Sequence, residues 1–235
     1  MSSILITHFK ENFGGHILKK TAKKLLFYVG GLFLLAIGVN ISKAAQLGIS
    51  PVSAIPYAME LIWSINLGNA TLIFNILLIA VQIALLRKNY NLVQLLQIVC
   101  TYLFGIFITY TSREHLLLWL PLPSSYIIKL IYLFVSIIII GIGVSFYLIP
   151  NLVPLPAEGL VNAIVKKSKD KYKFANVKVA VDSSMVFVSA VLSIVFLGGL
   201  KSVREGTVLA ALLIGKVVGI IFKRYKQGII QWIEK

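Results

Sequence analysis

The sequence predicts an all-α polytopic membrane protein with six transmembrane helices, and two observations lead to that fold class. The 235 residues are 58% hydrophobic and only 13% charged, which is too little polar material to cover a soluble domain of this size. The apolar residues also come in blocks of about twenty, the length that a helix needs to cross a hydrocarbon core about 30 Å thick.

Six blocks predict six spans, and short polar stretches separate them. The predicted spans cover residues 25–45, 70–86, 93–109, 125–149, 177–197 and 207–222. Residues 1–24 form a basic, mildly amphipathic lead-in that we expect to lie along the cytoplasmic headgroups. A secretory signal peptide cleaved near Ala44-Ala45 is the alternative for the first block, but 24 residues are a long region to precede it.

The basic residues predict the orientation. The chain has 23 Lys and Arg against 8 Asp and Glu. Seventeen of the basic residues lie before span one or after spans two, four and six, whereas Arg113, Lys201 and Arg204 alone lie in the other connections. The positive-inside rule therefore places both termini in the cytoplasm. Because these residues flank apolar blocks, we expect them to meet membrane lipids and not nucleic acid.

The sequence offers no motif for catalysis, a metal or a cofactor. Cys100 is the single cysteine, so no intrachain disulfide can form, and the three histidines lie outside the spans without metal-ligand spacing. No hydrolase elbow, phosphate-binding loop or dinucleotide fingerprint occurs. We therefore expect no enzyme activity and no cofactor.

The two halves of the chain resemble each other. Ile37-Gly38-Val39 recurs 105 residues later as Ile142-Gly143-Val144, and Pro51 matches Pro156 at the same offset. Small shifts then pair Asn75 with Asp182 and Gly105 with Gly215. The predicted organisation is a first three-helix repeat (25–110), an external connection (111–124), a second three-helix repeat (125–222) and a cytoplasmic tail (223–235). Since each repeat has an odd number of spans, the two must be inverted, as in many secondary transporters.

Proline-rich connections follow spans one and four. The first contains Pro51 and Pro56, the second contains Pro154 and Pro156, and each is followed by another short apolar helical pattern. Prolines break helices, and Ser50 or Ser53 can cap the helix that restarts. A helix that starts inside the membrane offers its N-terminus to an ion or polar solute. The alternative is an ordinary proline-rich loop on the headgroups.

Several motifs resemble those of a known family. Ala45-Gln46-Leu47-Gly48-Ile49-Ser50-Pro51, Phe104-Gly105, Pro156-Ala157-Glu158-Gly159 and Arg204-Glu205-Gly206-Thr207 look like YczE/YitT-type bacterial membrane proteins. The resemblance covers residues 25 to 225. It implies a multi-pass protein of the bacterial plasma membrane.

Polar side chains inside spans are costly, so each is a candidate for binding. Asp182 is the strongest candidate. It is either a carboxylate that binds a proton or a cation, with Asn75 as its neutral counterpart in the other repeat, or the partner of Lys178 in an ion pair within one helix. Lys216 lies within Gly215-Lys216-Val217-Val218-Gly219, whose GxxxG spacing predicts close helix packing and a Lys in the bundle interior.

The remaining candidates lie near span ends or restarted helices. Glu158 opens the second restarted helix, where it either counters Lys216 or stabilises the helix N-terminus. Asn40 and Lys43 share one side of span one, and Lys43 can instead extend to the interface. Gln97, Gln82 and Asn75 are each either a substrate contact or a hydrogen bond between helices.

Two function classes follow. The first is a secondary transporter or facilitator for a small polar solute, with an anionic solute favoured by Lys216 or Lys43. The second is a non-transporting membrane subunit: a substrate-binding component or adaptor of a larger membrane complex. Either function is compatible with a homo-oligomer or a partner membrane protein.

Overall fold

The computed structural model describes residues 2–235, with side chains from Leu18 onward, so part of the predicted lead-in (1–24) lies outside the described side chains. Within this range the chain forms eight α-helices. They are α1 (Ser2–Ala45), α2 (Pro51–Trp63), α3 (Leu67–Leu86), α4 (Leu96–Tyr110), α5 (Tyr126–Leu148), α6 (Pro156–Lys167), α7 (Phe174–Leu197) and α8 (Glu205–Glu234).

Six of these helices are long and apolar enough to cross a membrane, which confirms the predicted all-α polytopic fold. The spanning segments are Leu18–Ala45, Leu67–Asn89, Leu92–Tyr110, Tyr126–Leu148, Phe174–Leu197 and Glu205–Glu234. Each contains or overlaps one predicted span. The largest difference is at the end of the chain, where α8 continues as helix through the predicted tail (223–235).

Helices α1 and α5 run antiparallel along each other through the centre of the protein. Tyr28 stacks edge-on against Tyr147 near one end of the pair, with ring centroids 6.1 Å apart. Further along, a Cβ added at Gly31 would lie 2.9 Å from the Gly143 carbonyl oxygen, and one at Gly38 would lie 2.9 Å from the Ile140 backbone nitrogen. The glycines therefore let the two backbones touch, as at other membrane helix contacts.

The short helices α2 and α6 each begin with a proline. Pro51 and Pro156 occupy the first helical position, where the missing N–H is not needed. Pro154 lies in the predicted break, the connection between α5 and α6, whereas the prediction for Pro56 is wrong, because α2 continues through it. Each short helix is therefore separated from the span before it by a non-helical connection that ends at a proline.

Helix α2 starts inside the protein and ends at one end of it. Near its start, the Ser189 hydroxyl of α7 donates a hydrogen bond to the Ala54 carbonyl at 2.7 Å. Ser189 lies eight residues before Leu197, the last residue of α7, so this hydrogen bond is about 12 Å from the end of that helix. At the other end of α2, Trp63 stacks against Phe196, with ring centroids 6.3 Å apart. The N-terminus of α2 is thus the buried one.

Helix α6 has the same arrangement at the opposite end of the protein. The Gln82 side chain of α3 donates to the Pro156 carbonyl at 3.0 Å, seven residues or about 10 Å before Asn89. At the other end of α6, the Lys166 ammonium donates to the Asn89 carbonyl at 3.1 Å. We call this end of the protein the basic end, because Lys166 and the other predicted cytoplasmic basic residues gather there.

The long helices surround the two short ones in a reciprocal pattern. Helix α2 of the first half packs on α7 of the second, and α6 of the second half packs on α3 of the first. Likewise α1 packs on α4 and α5 packs on α8. The pattern is broken at one place, because α3 and α4 pack tightly whereas α7 and α8 hardly touch.

Candidate functional site

Three charged side chains meet at the buried N-terminus of α6. Glu158 stands in the first turn of α6, and Lys178 and Asp182 stand one turn apart on α7. The Lys178 ammonium lies 2.7 Å from an Asp182 carboxylate oxygen and 3.9 Å from a Glu158 carboxylate oxygen. All three side chains are mostly buried, with exposed fractions of 26%, 22% and 14% for Lys178, Asp182 and Glu158. The Lys178 ammonium therefore interacts with both carboxylates.

Two glutamines face the same turn of α6 from the other side. Gln82 of α3 and Gln97 of α4 are fully buried and joined by a hydrogen bond of 3.1 Å. The Pro156 carbonyl can only accept a hydrogen bond, so the Gln82 atom that faces it is the amide nitrogen. The same nitrogen donates to Gln97, so the Gln97 atom that faces Gln82 is the amide oxygen. A Cβ added at Gly159 would lie 2.5 Å from the Gln97 amide nitrogen and 2.7 Å from the Gln82 amide oxygen. Any larger residue at position 159 would therefore displace the two amides from where they now lie.

Several polar atoms around this turn have no hydrogen-bond partner among the described residues. They are the second carboxylate oxygen of Glu158, the amide oxygen of Gln82, the amide nitrogen of Gln97 and the hydroxyl of Thr101, which lies one helical turn after Gln97. A buried polar group without a partner is costly, by about 1–3 kcal/mol in mutational data. Four of them around one helix turn indicate a place where a polar ligand or water makes hydrogen bonds.

The chemistry of this cluster follows from its charge. Two carboxylates against one ammonium leave a net charge of −1 when all three are ionised. A helix N-terminus favours a carboxylate in its first turn, as Glu158 is, but supplies only about half a positive charge. The Tyr147 side chain, almost fully buried, lies beside Glu158 on the α5 side. The cluster therefore suits a proton or a cationic group better than an anion.

A second ion pair lies at the opposite end of the protein. The Lys43 ammonium of α1 donates to a Glu60 carboxylate oxygen of α2 at 2.7 Å. The exposed fraction of Glu60 is 17%, and its second carboxylate oxygen has no described partner. At the buried start of α2, by contrast, the hydroxyls of Ser189 and Ser202 lie 2.9 Å apart and find partners in each other and in backbone carbonyls.

Most of the chain matches the model of a known protein family. Residues 22–223 match the model of a family of unknown function, DUF6198. The chain belongs to this family. The matched region begins in α1 and ends in α8, so it contains the four middle spans, most of the first and last spans, both short helices and the whole α6 cluster.

One curated relative of this DUF6198 chain is the "Uncharacterized membrane protein YczE" of Bacillus subtilis (strain 168). The two are 29% identical over 143 residues, which are 60% of this chain and 63% of the relative. The chain thus covers less than two thirds of that relative's length. The predicted resemblance to YczE-like membrane proteins is confirmed, and no solved structure matches the chain.

Three predicted site residues of this DUF6198 chain come together in the structure. Glu158, Asp182 and Gln97 all lie around the first turn of α6. The predicted pair of Lys178 and Asp182 also forms, although it is shared with Glu158. Asn75 is buried on α3, and Ser50 and Ser53 lie at the start of α2, where their hydroxyls bond to each other at 3.2 Å. Ser50 is the N-cap of α2, as predicted, but its side chain makes no capping hydrogen bond.

Two other candidates have partners in the protein. The Asn40 amide nitrogen donates to the Ile108 carbonyl at 2.8 Å and to the Thr111 hydroxyl at 2.9 Å, which joins α1 to the end of α4. Lys43 pairs with Glu60 as described. Both side chains serve contacts between helices in this structure.

The prediction that Lys216 lies in the bundle interior is wrong. Lys216 is exposed on α8, and a Cβ added at Gly215 or Gly219 would meet nothing within 4 Å. The GxxxG spacing puts small residues on one stripe of α8, but among the described residues no helix packs against that stripe. Lys216 therefore cannot be the counter-ion of Glu158, which has Lys178 instead.

Sequence reasoning missed Glu60 as a charged candidate and missed Gly159, whereas it left Gln82 open as either a substrate contact or a hydrogen bond between helices. Glu60 is a lone carboxylate in an apolar helical pattern, so the rule that singled out Asp182 applies to it equally. Gln82 lies deep in a predicted span and carries the same signal. For Gly159 no signal existed in the sequence, because its importance comes from the two amides that face it.

Proposed function

We propose that this protein is a secondary transporter or facilitator for a small polar solute, with its binding site at the buried N-terminus of α6. The observation that carries the proposal is the group of four polar atoms without partners beside a carboxylate–ammonium–carboxylate cluster inside the membrane-spanning part. Buried charge in a membrane is expensive, and it is retained where ions or solutes are bound.

The arrangement of the two halves supports the same proposal. In the first half, Gln82 of α3 bonds to Gln97 at the start of α4 and to the first turn of α6. In the second half, Ser189 of α7 bonds to Ser202 just before α8 and to the first turn of α2. Each half thus holds the other half's short helix through an equivalent polar pair. This reciprocity favours two inverted three-helix repeats, the arrangement of many secondary transporters.

The charges select among solutes. Lys43 is paired with Glu60 and Lys216 is exposed, so neither supplies a buried cation for an anionic solute. Lys178 is already shared by two carboxylates. We therefore propose a neutral or cationic solute, in place of the anionic one expected from the sequence, and a proton that exchanges on Glu158 or Asp182. Protonation of Asp182 would weaken its ion pair with Lys178 and let the Lys178 ammonium move closer to Glu158. In this way the protonation of Asp182 would be coupled to the conformation of the first turn of α6.

The proposed location is the bacterial plasma membrane with both termini in the cytoplasm. The lysines and arginines at the basic end support this orientation through the positive-inside rule. In this orientation α6 runs from the membrane interior to the cytoplasmic face, and α2 runs from the interior to the outer face.

The test is solute-driven current from the purified full-length chain in liposomes adsorbed on a solid-supported membrane. The panel contains ammonium, methylamine, neutral amino acids, glycerol and, as anions, acetate and lactate. We expect a current with at least one cationic or neutral solute, and we expect Glu158→Gln and Asp182→Asn each to abolish it. Glu205→Gln is the matched control, because Glu205 is an exposed carboxylate whose partner is its neighbour Arg204.

The outcomes separate the two function classes. Equal currents from the wild type and all three variants would remove the α6 cluster from the mechanism. Binding of a solute by the wild type without any current, and without uptake of the radiolabelled solute into the liposomes, would favour the non-transporting subunit. No current and no binding across the panel would count against both.

A further inference from the structure

Residues 20–27 of α1 and the last turns of α8 form a second polar site, at the basic end and apart from the α6 cluster. The Lys23 ammonium donates to the Trp232 carbonyl at 3.0 Å and lies 4.8 Å from the centre of the Trp232 ring. Phe27 packs edge-on against the same ring at 5.6 Å, and Lys20 pairs with Glu234 at 3.4 Å. These contacts hold the last turns of α8 against α1.

A groove of about 360 Å³ lies beside this contact. Its lining residues are Phe27, Arg224, Tyr225, Gly228, Ile229 and Trp232. Gly228 leaves one side open, because a Cβ added there would meet no atom within 4 Å. The lining combines aromatic and aliphatic surface with one guanidinium group, which is the combination that a molecule with an apolar body and an anionic head requires.

The charge of the groove is not neutralised within the described part of the chain. No described carboxylate lies within salt-bridge distance of Arg224, whose guanidinium carbon is 5.9 Å from the Tyr225 ring. Lys223 and Lys226, on either side in sequence, are exposed. The positive charge therefore stands where the apolar part of α8 gives way to its polar end, which is the level of lipid headgroups.

We propose that this groove binds the headgroup of an anionic phospholipid, with the phosphate on Arg224 and the upper acyl chain on Phe27 and Trp232. Guanidinium groups bind phosphate through charge-assisted hydrogen bonds. Basic pockets between membrane helices are known positions for anionic headgroups. A zwitterionic lipid fits less well, because its own cation would stand among the lysines. This proposal does not depend on transport.

The experiment is native mass spectrometry of the full-length protein released from detergent, titrated with phosphatidylglycerol, phosphatidylcholine or inorganic phosphate. We expect phosphatidylglycerol to remain bound and phosphatidylcholine to be lost. Arg224→Gln should weaken phosphatidylglycerol binding about fivefold, the effect of one basic residue at an anionic surface. Gly228→Leu should also weaken it, because the added side chain occupies the groove, and its Cβ meets no protein atom within 4 Å. Lys171→Gln, at the same end but outside the groove, is the control.

The two variants act by different means, one by charge and one by volume, so a folding defect in either leaves the other informative. Retention of phosphatidylcholine as strong as that of phosphatidylglycerol would overturn the proposal. So would unchanged binding in Gly228→Leu, or a loss in Lys171→Gln equal to that in Arg224→Gln. Competition by inorganic phosphate at equal concentration would assign the site to free phosphate instead of a lipid.

Discussion

Gly159 offers a quantitative test of how α6 is held in place. In Gly159→Ala the new Cβ would lie 2.5 Å from the Gln97 amide nitrogen and 2.7 Å from the Gln82 amide oxygen. Real Cβ atoms do not approach other atoms this closely, so the two amides must shift. Because both glutamines are fully buried, we expect the shift to break the hydrogen bonds from Gln82 to Gln97 and to the Pro156 carbonyl, which are 3.1 and 3.0 Å long.

The expected cost follows from those two bonds. A hydrogen bond contributes about 1 kcal/mol, and a buried group left unpaired costs about 1–3 kcal/mol. The variant should therefore lose about 2–4 kcal/mol, offset by the gain of up to about 1 kcal/mol that alanine brings to a helix. Gly219→Ala in α8 is the matched control: it has the same helical gain and no atom within 4 Å of the new Cβ.

The assay is thermal unfolding of both variants in the same detergent, followed by circular dichroism. Because the helical gain is common to both, the difference between them isolates the contact at Gly159. For a chain of this size, 2–4 kcal/mol corresponds to roughly 4–16 °C in Tm. Equal melting temperatures for the two variants would refute the close packing of α6 on the glutamines.

Three further predictions concern other parts of the fold. Gly48→Ala should destabilise the protein by about 2 kcal/mol or more in the same unfolding assay, because Gly48 has a φ of 91° and its Cβ would meet the backbone at the start of α8. Lys43→Met should cost about 3 kcal/mol by leaving Glu60 unpaired, whereas the double variant with Glu60→Leu should recover most of the loss; a double variant as unstable as the single one would contradict this account. In a cysteine-free background, an impermeant maleimide should label Ser64→Cys in whole cells but Lys171→Cys only after permeabilisation, and the reverse pattern would invert the proposed orientation.

The spans were predictable because hydropathy reports the one requirement that every spanning helix shares. Their ends were less so: α1 is helical well before residue 25 and α8 continues to Glu234. A hydropathy pattern detects the part of a helix that meets hydrocarbon, and these helices extend past it. Lys23 and Trp232 lie in those extensions, outside the predicted spans. Their contact, and the groove beside it, could therefore not be predicted from hydropathy.

The site was predictable in its parts and not in its assembly. Asp182 stood out because a carboxylate in an apolar segment is costly, and Glu158 because it opens a restarted helix. The four-residue spacing offered the pairing of Lys178 with Asp182 as the alternative interpretation. That Glu158 shares the same ammonium depends on how α6 packs on α7, which no spacing reveals. Lys216 shows the converse: GxxxG identifies a stripe that allows close packing, but the sequence does not say whether another helix occupies it.

The most direct test of the buried α6 N-terminus is the reactivity of a cysteine at position 158. In a Cys100→Ser background, Glu158→Cys is compared with Lys171→Cys, an exposed position at the basic end, using a small charged thiosulfonate and a maleimide coupled to a bulky polymer. Our account predicts that the small reagent modifies both cysteines and that the bulky reagent modifies only the one at 171. Equally fast reaction of both with the bulky reagent would mean that the proline segment lies on the membrane surface, and the proposed solute site would be lost with it.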